Sequence, residues 1–130
     1  MASRNTARSL GARMSIVRRE DRPVLARGQQ FPTLQRLVDR QNGSTAVTLL
    51  INDFTGSQAV PEHIHEVEEV LTVTRGECTV TIDGHQEVAR TGDAVIIAPG
   101  TRHAIIHDSD EPCQVLAVLA SPDVQIGAVK

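Results

Sequence analysis

The chain has 130 residues, of which 40% are hydrophobic, and this is the size of a single domain built around one core. Its formal net charge of −3 and its pI near 5.9 provide no attraction for nucleic acid or for an anionic membrane surface. It has no Trp, no Tyr and only two Phe, so tyrosine chemistry is excluded and the core must be packed mainly with aliphatic side chains.

The first 19 residues form a segment of distinct composition, with five arginines and no acidic residue. A transit peptide, a disordered tail or a start codon upstream of Met14 would each explain it. This segment lacks the apolar core of a secretory signal, and no later run approaches the roughly 20 apolar residues that span a bilayer. We therefore expect a soluble, cytoplasmic protein with a flexible arm over residues 1–19 and one domain over residues 20–130.

From Thr45 onward, short runs rich in Val, Ile and Thr alternate with Gly, Pro and Asp signals about ten residues apart, which is typical of an antiparallel sandwich or barrel. Asp83-Gly84 predicts a two-residue hairpin, because a type I′ turn needs positive φ at both positions. Residues 32–39 fit either a strand or one helical turn. The predicted strands span residues 46–53, 68–74, 78–82, 85–89, 94–97, 103–106 and 114–120.

Two histidines and a glutamate stand at odd-numbered positions just before and at the start of the second of these strands. His63, His65 and Glu69 would point to the same face of an extended chain, and Leu71 and Val73 continue that face into the core. Burying two imidazoles and a carboxylate together is costly unless something satisfies them, and one metal ion satisfies all three. The pattern therefore predicts a metal site on the inner face.

A second segment carries a further histidine that can reach the same cavity. It runs from a turn at Gly92 through an apolar strand and a Pro99-Gly100 corner to His103. Residues 61–76 and 92–107 together resemble the two sequence motifs of the cupin superfamily. The resemblance implies a small all-β fold, the double-stranded β-helix or jelly-roll barrel.

The first motif matches the family without a gap, at His63, His65, Glu69 and Gly76. In the second motif Gly92, Gly100 and His103 keep the family spacing, although Ala98 stands at the usual proline position. The resemblance implies that His63, His65, Glu69 and His103 bind one divalent transition metal ion, with Mn, Fe, Ni, Zn, Co and Cu all found in similar cupins. The alternative is that these polar residues satisfy one another without a metal.

His107 stands where the family often has Asn, and it shares strand parity with His103. We predict it as a catalytic acid or base, with a strand-end histidine bonded to backbone or solvent as the equal alternative. Glu68 replaces Glu69 as a ligand only if a bulge shifts the parity. Arg102 and Arg75 are lesser candidates for contacting an anion.

His85 and the two cysteines are not assigned to the site. His85 follows the predicted hairpin turn and is expected to be exposed. Cys78 and Cys113 are too few for a disulfide scaffold, and we predict two reduced thiols. Cys78 shares parity with core residues, and a buried thiol behaves as a small, inert hydrophobe.

The predicted partner is a small molecule. Three imidazoles and one carboxylate around a divalent ion leave a charge of +1, which favours an anionic, chelating substrate. Lewis-acid isomerase, lyase or cyclase chemistry and metal-dependent dioxygenation are both compatible with this site. A non-catalytic binding or sensing protein is the alternative, and no helix-turn-helix pattern supports DNA binding. The resemblance also implies a homodimer, with residues 15–25 as the strand that pairs with the partner.

Overall fold

The computed structural model describes residues 15–125, and these form one antiparallel sheet system of eight strands. Short 3-10 turns at Arg19–Asp21 and Arg40–Asn42 are the only helical elements in that range, and no helix within it is long and apolar enough to cross a membrane. The strands are β1 (Val24–Leu25), β2 (Thr33–Val38), β3 (Thr48–His63), β4 (Glu69–Arg75), β5 (Glu77–Ile82), β6 (His85–Arg90), β7 (Ala94–Ile97) and β8 (His103–Leu119).

The strand order shows how two long strands organise the fold. The main sheet has the order β1-β2-β3-β8-β4-β7, while the first part of β8 also pairs with β5, which pairs with β6. β3 and β8 therefore run through both halves of the molecule and join them. This antiparallel, almost helix-free architecture confirms the predicted all-β cupin-type fold.

The two long strands were each predicted too short. β3 continues ten residues beyond the predicted end at Asp53, and β8 joins two predicted strands into one. Gly56, Pro61 and the polar residues 108–111 resemble loop sequence, but the β3–β8 ladder continues on both sides of them, with Gly56 opposite Ser109 and Val60 opposite Ile105. The register shifts between Phe54 and Gly56 absorb the extra residues of β8, as in a β-bulge.

The predicted hairpin is confirmed, since Asp83 and Gly84 both have positive φ, +52° and +80°, between paired β5 and β6. Residues 32–39, which the sequence left open between a strand and a helical turn, contain the strand Thr33–Val38. The core is largely aliphatic, with Phe54, Leu119, Val115 and Val73 almost fully buried. Cys78 and Cys113 are free and buried, and the neighbouring Cys113 thiol and burial raise the pKa of Cys78, which keeps that thiol unreactive.

The predicted N-terminal arm falls partly outside the described residues, which begin at residue 15. Its last residue, Arg19, lies against the sheet: the guanidinium donates to Gln35 Oε1 at 2.7 Å and to Asp53 Oδ2 at 2.8 Å. Arg19 thus contacts the domain, while the boundary between arm and domain stays a prediction.

Gly76 connects β4 to β5 at a point where a side chain has no room. Its φ is +70°, and an added Cβ would clash with the carbonyl oxygen of Pro112 and lie 3.1 Å from Cys113 Cα. Gly84 has φ +80° but nothing within 4 Å of an added Cβ. Gly84 therefore has the same left-handed backbone conformation as Gly76 but has room for a side chain, so it is the matched control position.

We expect Gly76→Ala to destabilise the fold by at least about 2 kcal/mol, because the substitution combines the roughly 1–2 kcal/mol cost of a left-handed residue with a clash against backbone. Gly84→Ala should cost only the conformational part. Urea unfolding of both variants measures the difference. Equal losses of unfolding free energy in the two variants would contradict the crowding at Gly76.

Candidate metal centre

The four predicted metal ligands meet at one place in the structure. His63 is the last residue of β3, Glu69 the first of β4 and His103 the first of β8, while His65 lies in the loop between β3 and β4. One ligand atom from each residue lies within 4.8 Å of those of the other three. The fold thus assembles a three-histidine, one-glutamate cluster from three separate segments.

Residues 64–68 form a loop between two strands. The pairing of β3 with β8 ends at His63, and the pairing of β4 with β7 and β8 begins at Glu69. The chain turns between these two residues. The alternation of exposure nevertheless persists through the loop, with the odd-numbered residues more buried than the even-numbered ones. The inward direction predicted for His63, His65 and Glu69 is therefore correct, although no ladder of hydrogen bonds supports it.

Backbone pairing sets the positions of the ligands relative to one another. His63 and His103 are directly opposite residues in the β3–β8 ladder, and their ring centroids are 4.2 Å apart. The loop that carries His65 is attached to the Pro-Gly corner, since the Gly100 N–H donates to the His65 carbonyl at 2.7 Å. The two sequence motifs are joined at this bond.

Two of the imidazoles are oriented by backbone carbonyls. Nδ1 of His63 lies 2.8 Å from the Pro61 oxygen, and Nδ1 of His103 lies 2.8 Å from the Thr101 oxygen. Since a carbonyl only accepts, Nδ1 of each ring carries the proton, and the neutral ring presents the lone pair of Nε2 to the cluster. This is the arrangement by which proteins orient metal-ligating histidines.

Buried polar atoms without partners mark the centre of the cluster. Glu69 Oε1 and His103 Nε2 are both fully buried, lie 2.9 Å apart and make no hydrogen bond. The Nε2 atoms of His63 and His65 are 3.1 Å apart, and His65 Nε2 lies 3.9 Å from Glu69 Oε1. Neutral imidazole nitrogens and a carboxylate oxygen crowded in this way repel one another unless a proton or a metal ion lies between them, and the set of donors fits a divalent metal ion.

The protonation of the cluster suits metal binding as well. Burial lowers the pKa of both His63 and His65, which favours the neutral form that binds metals. Burial also lowers the pKa of His103, but the Glu69 carboxylate and the Thr101 carbonyl outweigh it, and the net pKa is raised. A metal ion therefore competes with a proton mainly at His103.

The cluster opens into a cavity of about 210 Å³. Its apolar wall includes Leu34, Leu50, Val60 and Ile105, and no Phe, Trp or Tyr lines it among the described residues. The polar residues that line it besides the four ligands are Arg27, Asn52 and Gln125. The cavity thus combines a largely aliphatic wall with a few polar groups, which is the composition of a small-molecule site.

His107 is not brought into this cavity. It is 3% exposed, its Nδ1 lies 2.6 Å from the Gly56 oxygen and its Nε2 lies 2.8 Å from the Glu111 oxygen. Both nitrogens are occupied by backbone carbonyls at the bulge that joins the two halves of β3 and β8. The catalytic role predicted for His107 has no support in these contacts, which favour the structural alternative.

The lesser candidates also lie outside the cavity. Glu68 and Arg75 are exposed. Arg102 is exposed and lies 3.4 Å from the Glu62 carboxylate, and His85 is exposed and pairs with Glu87 at 3.1 Å. Sequence reasoning did not identify Arg27, which lies in the loop after β1, or Asn52, which lies in β3; neither residue belongs to either motif.

Comparison with known proteins agrees with this arrangement. The family model described as the cupin domain matches residues 53–119. The solved structure of the polyketide cyclase RemF from Streptomyces resistomycificus is similar, with 22% identity, a TM-score of 0.71, and coverage of 90% of this chain and 89% of that one. An RmlC-like cupin from Shewanella frigidimarina has 20% identity and a TM-score of 0.68, over 82% of this chain and 88% of that one.

An oxalate decarboxylase variant from Bacillus subtilis is also similar in fold, with 15% identity and a TM-score of 0.75 over 85% of this chain but only 30% of that longer one. These identities establish a shared fold. The family match covers more than half of the chain and includes all four residues of the cluster. The chain belongs to the cupin family.

Proposed function

We propose that the protein is a metal-dependent enzyme that acts on a small, oxygen-rich metabolite, anionic and able to chelate a metal ion. The observation that carries this proposal is the buried pair Glu69 Oε1 and His103 Nε2, which have no hydrogen-bond partner and lie beside two further imidazoles. One divalent transition metal ion, of the Mn, Fe, Ni, Zn, Co or Cu type, matches this set of three nitrogen donors and one carboxylate.

The charge of the site supports an anionic substrate. Three neutral imidazoles and one carboxylate leave a net +1 around a divalent ion. When bound, such an ion stabilises negative charge that develops on a substrate oxygen. The aliphatic wall formed by Leu34, Leu50 and Ile105 limits water in the cavity, which strengthens electrostatic interactions within it.

Two reaction classes fit this site. In the first, charge stabilisation on oxygen supports isomerase, lyase or cyclase chemistry. In the second, a redox-active metal supports dioxygenation. Structural relatives are named as a polyketide cyclase and an oxalate decarboxylase, which is in keeping with the first class, and as an oxalate oxidase, which is in keeping with redox chemistry.

The test begins with protein purified without chelators or added metal. We expect close to one transition metal ion per chain by elemental analysis. The loaded protein is then incubated with small hydroxy and oxo acids, with and without oxygen, while substrate loss and oxygen uptake are followed. Turnover without oxygen uptake supports the first class, and oxygen uptake with Fe supports the second. Tight binding without turnover under any metal would instead indicate a non-catalytic binding protein.

We also propose that the protein is a homodimer formed through its N-terminal edge. β1 is the outermost strand on one side of the sheet order, and its side chains Val24 and Leu25 are 57% and 46% exposed. An unpaired apolar edge is a template for pairing with another strand. A second copy of the chain is the simplest partner that would cover it.

The double substitution Val24→Lys, Leu25→Lys should convert the dimer to a monomer, because four added charges per dimer oppose edge pairing. Light scattering on the full-length protein measures the change, and far-UV circular dichroism checks the fold. Ile96→Lys is the matched control, since Ile96 is 70% exposed on β7, the opposite edge of the sheet. A dimer that survives the β1 substitutions but dissociates with Ile96→Lys would place the interface at β7.

A further inference from the structure

Arg27 differs from the other arginines that the structure describes because its side chain lines the cavity of the candidate metal centre. It follows β1, is half-buried and lines the same cavity as the four metal-ligand candidates. Its Nε is fully buried without a hydrogen-bond partner, and among residues 15–125 its one hydrogen bond is a long one from Nη2 to the Pro32 oxygen at 3.3 Å. The guanidinium therefore has donors that no described residue uses, on a side chain that lines the cavity.

No carboxylate of the described residues pairs with Arg27. By contrast, carboxylates lie within 4.0 Å of six other arginines, namely Arg19, Arg22, Arg36, Arg40, Arg90 and Arg102. A partly buried cation with an unsatisfied donor is costly to maintain. Burial accordingly lowers the pKa of Arg27, although the guanidinium stays charged at neutral pH.

Phe31 helps to hold the guanidinium in place. Its ring centroid lies 5.7 Å from Arg27 Cζ, within the range of a cation–π contact. One of the two phenylalanines of the chain is thus used to position this arginine. A planar guanidinium that is held by an aromatic ring and has free donors is suited to bind a carboxylate with two parallel hydrogen bonds.

We propose that Arg27 is a substrate-binding residue that pairs with one carboxylate of the substrate, while other oxygen atoms of the same substrate are directed at the metal centre. This inference rests on the proposed function, since it assigns a second recognition point in the same cavity. A volume of about 210 Å³ is below the roughly 300–1,000 Å³ of sites for drug-sized ligands, so the substrate is short. With one carboxylate for Arg27 and a chelating hydroxy or keto acid for the metal centre, the substrate class is a short dicarboxylate that also bears a hydroxyl or keto oxygen.

The proposal is tested by calorimetric titration of the metal-loaded protein with two probes. Malate has a hydroxy acid end and a second carboxylate, whereas lactate has the hydroxy acid end alone. Wild-type protein should bind malate more tightly than lactate. Arg27→Gln should weaken malate binding about 10- to 100-fold, as expected for a lost charged hydrogen bond, and leave lactate binding unchanged. Arg27→Lys should give an intermediate loss, because it keeps the charge without the planar pair of donors.

Arg102→Gln is the control, since Arg102 is exposed, pairs with Glu62 and is absent from the cavity lining. It should leave both affinities unchanged. Thermal melting and elemental analysis of every variant show that fold and metal content are retained. Equal malate affinity in wild type and Arg27→Gln, or wild-type protein that binds malate no more tightly than lactate, would overturn the role of Arg27. Failure of the wild type to hold metal would overturn the proposed function instead, and titration of that protein with malate would still report on Arg27.

Discussion

Replacing His63 and His65 together by alanine should abolish metal binding, with metal content falling from about one ion per chain to near zero. The two imidazoles supply half of the ligand set, and their Nε2 atoms lie 3.1 Å apart at its centre. Loss of a residue that only orients a ligand costs roughly 10- to 100-fold in metal affinity, so loss of two ligands should exceed this. Elemental analysis after dialysis measures the effect.

His85→Ala is the matched control for this experiment. It also removes an imidazole, but one that is exposed on β6 and pairs with Glu87. We expect it to retain full metal content. Wild-type protein that holds no metal under any loading condition, or a double variant that holds as much as wild type, would contradict a metal centre at these residues.

His107→Ala should be strongly destabilising while leaving metal content unchanged. Substitution leaves the carbonyls of Gly56 and Glu111 without their partner and removes a buried ring that packs 5.7 Å from the Phe54 ring. Since each orphaned buried carbonyl costs about 1–3 kcal/mol and these two are only partly buried, we expect a loss of about 3 kcal/mol in unfolding free energy. Urea unfolding measures it.

His107→Asn is the informative companion variant, because Asn is the residue that similar cupins often have here. Its amide has two N–H donors but a shorter reach, so it should recover part of the lost stability. If His107→Ala instead keeps wild-type stability and loses turnover, the structural account is wrong and the predicted catalytic role is supported.

For His107, the alternation of side chains along a strand predicts burial but not which part of the interior the side chain enters. Its parity with His103 predicts an inward side chain, and the side chain is indeed buried. Parity does not tell which part of the interior it enters, because β8 is 17 residues long and passes through both halves of the molecule. Four residues along such a strand are enough to move a side chain from the metal centre to the bulge beside Gly56.

The strand bounds show a similar division between local and long-range information. The hairpin at Asp83-Gly84 was predicted correctly because its signal is local: two consecutive residues that tolerate positive φ. The extensions of β3 and β8 were missed because residues such as Gly56 and Pro61 are strand-breaking by local preference. The strand continues past them because the flanking residues of β3 pair with β8, as Ser57 does with Asp108 and Val60 with Ile105, far away in the sequence.

The sequence by itself determined the candidate metal-ligand set, the all-β class and the family. His63, His65 and Glu69 are close in the chain, and the spacing of the second motif identifies His103, so these residues can be found without coordinates. Only the tertiary structure decided what surrounds them. Arg27 and Asn52 reach the cavity because β2, β3 and the segment before them fold over it, and no sequence spacing encodes contacts between elements that are distant in the chain. The unpaired donor of Arg27 and the two carbonyl partners of His107 are likewise properties of packing, which depends on the whole fold.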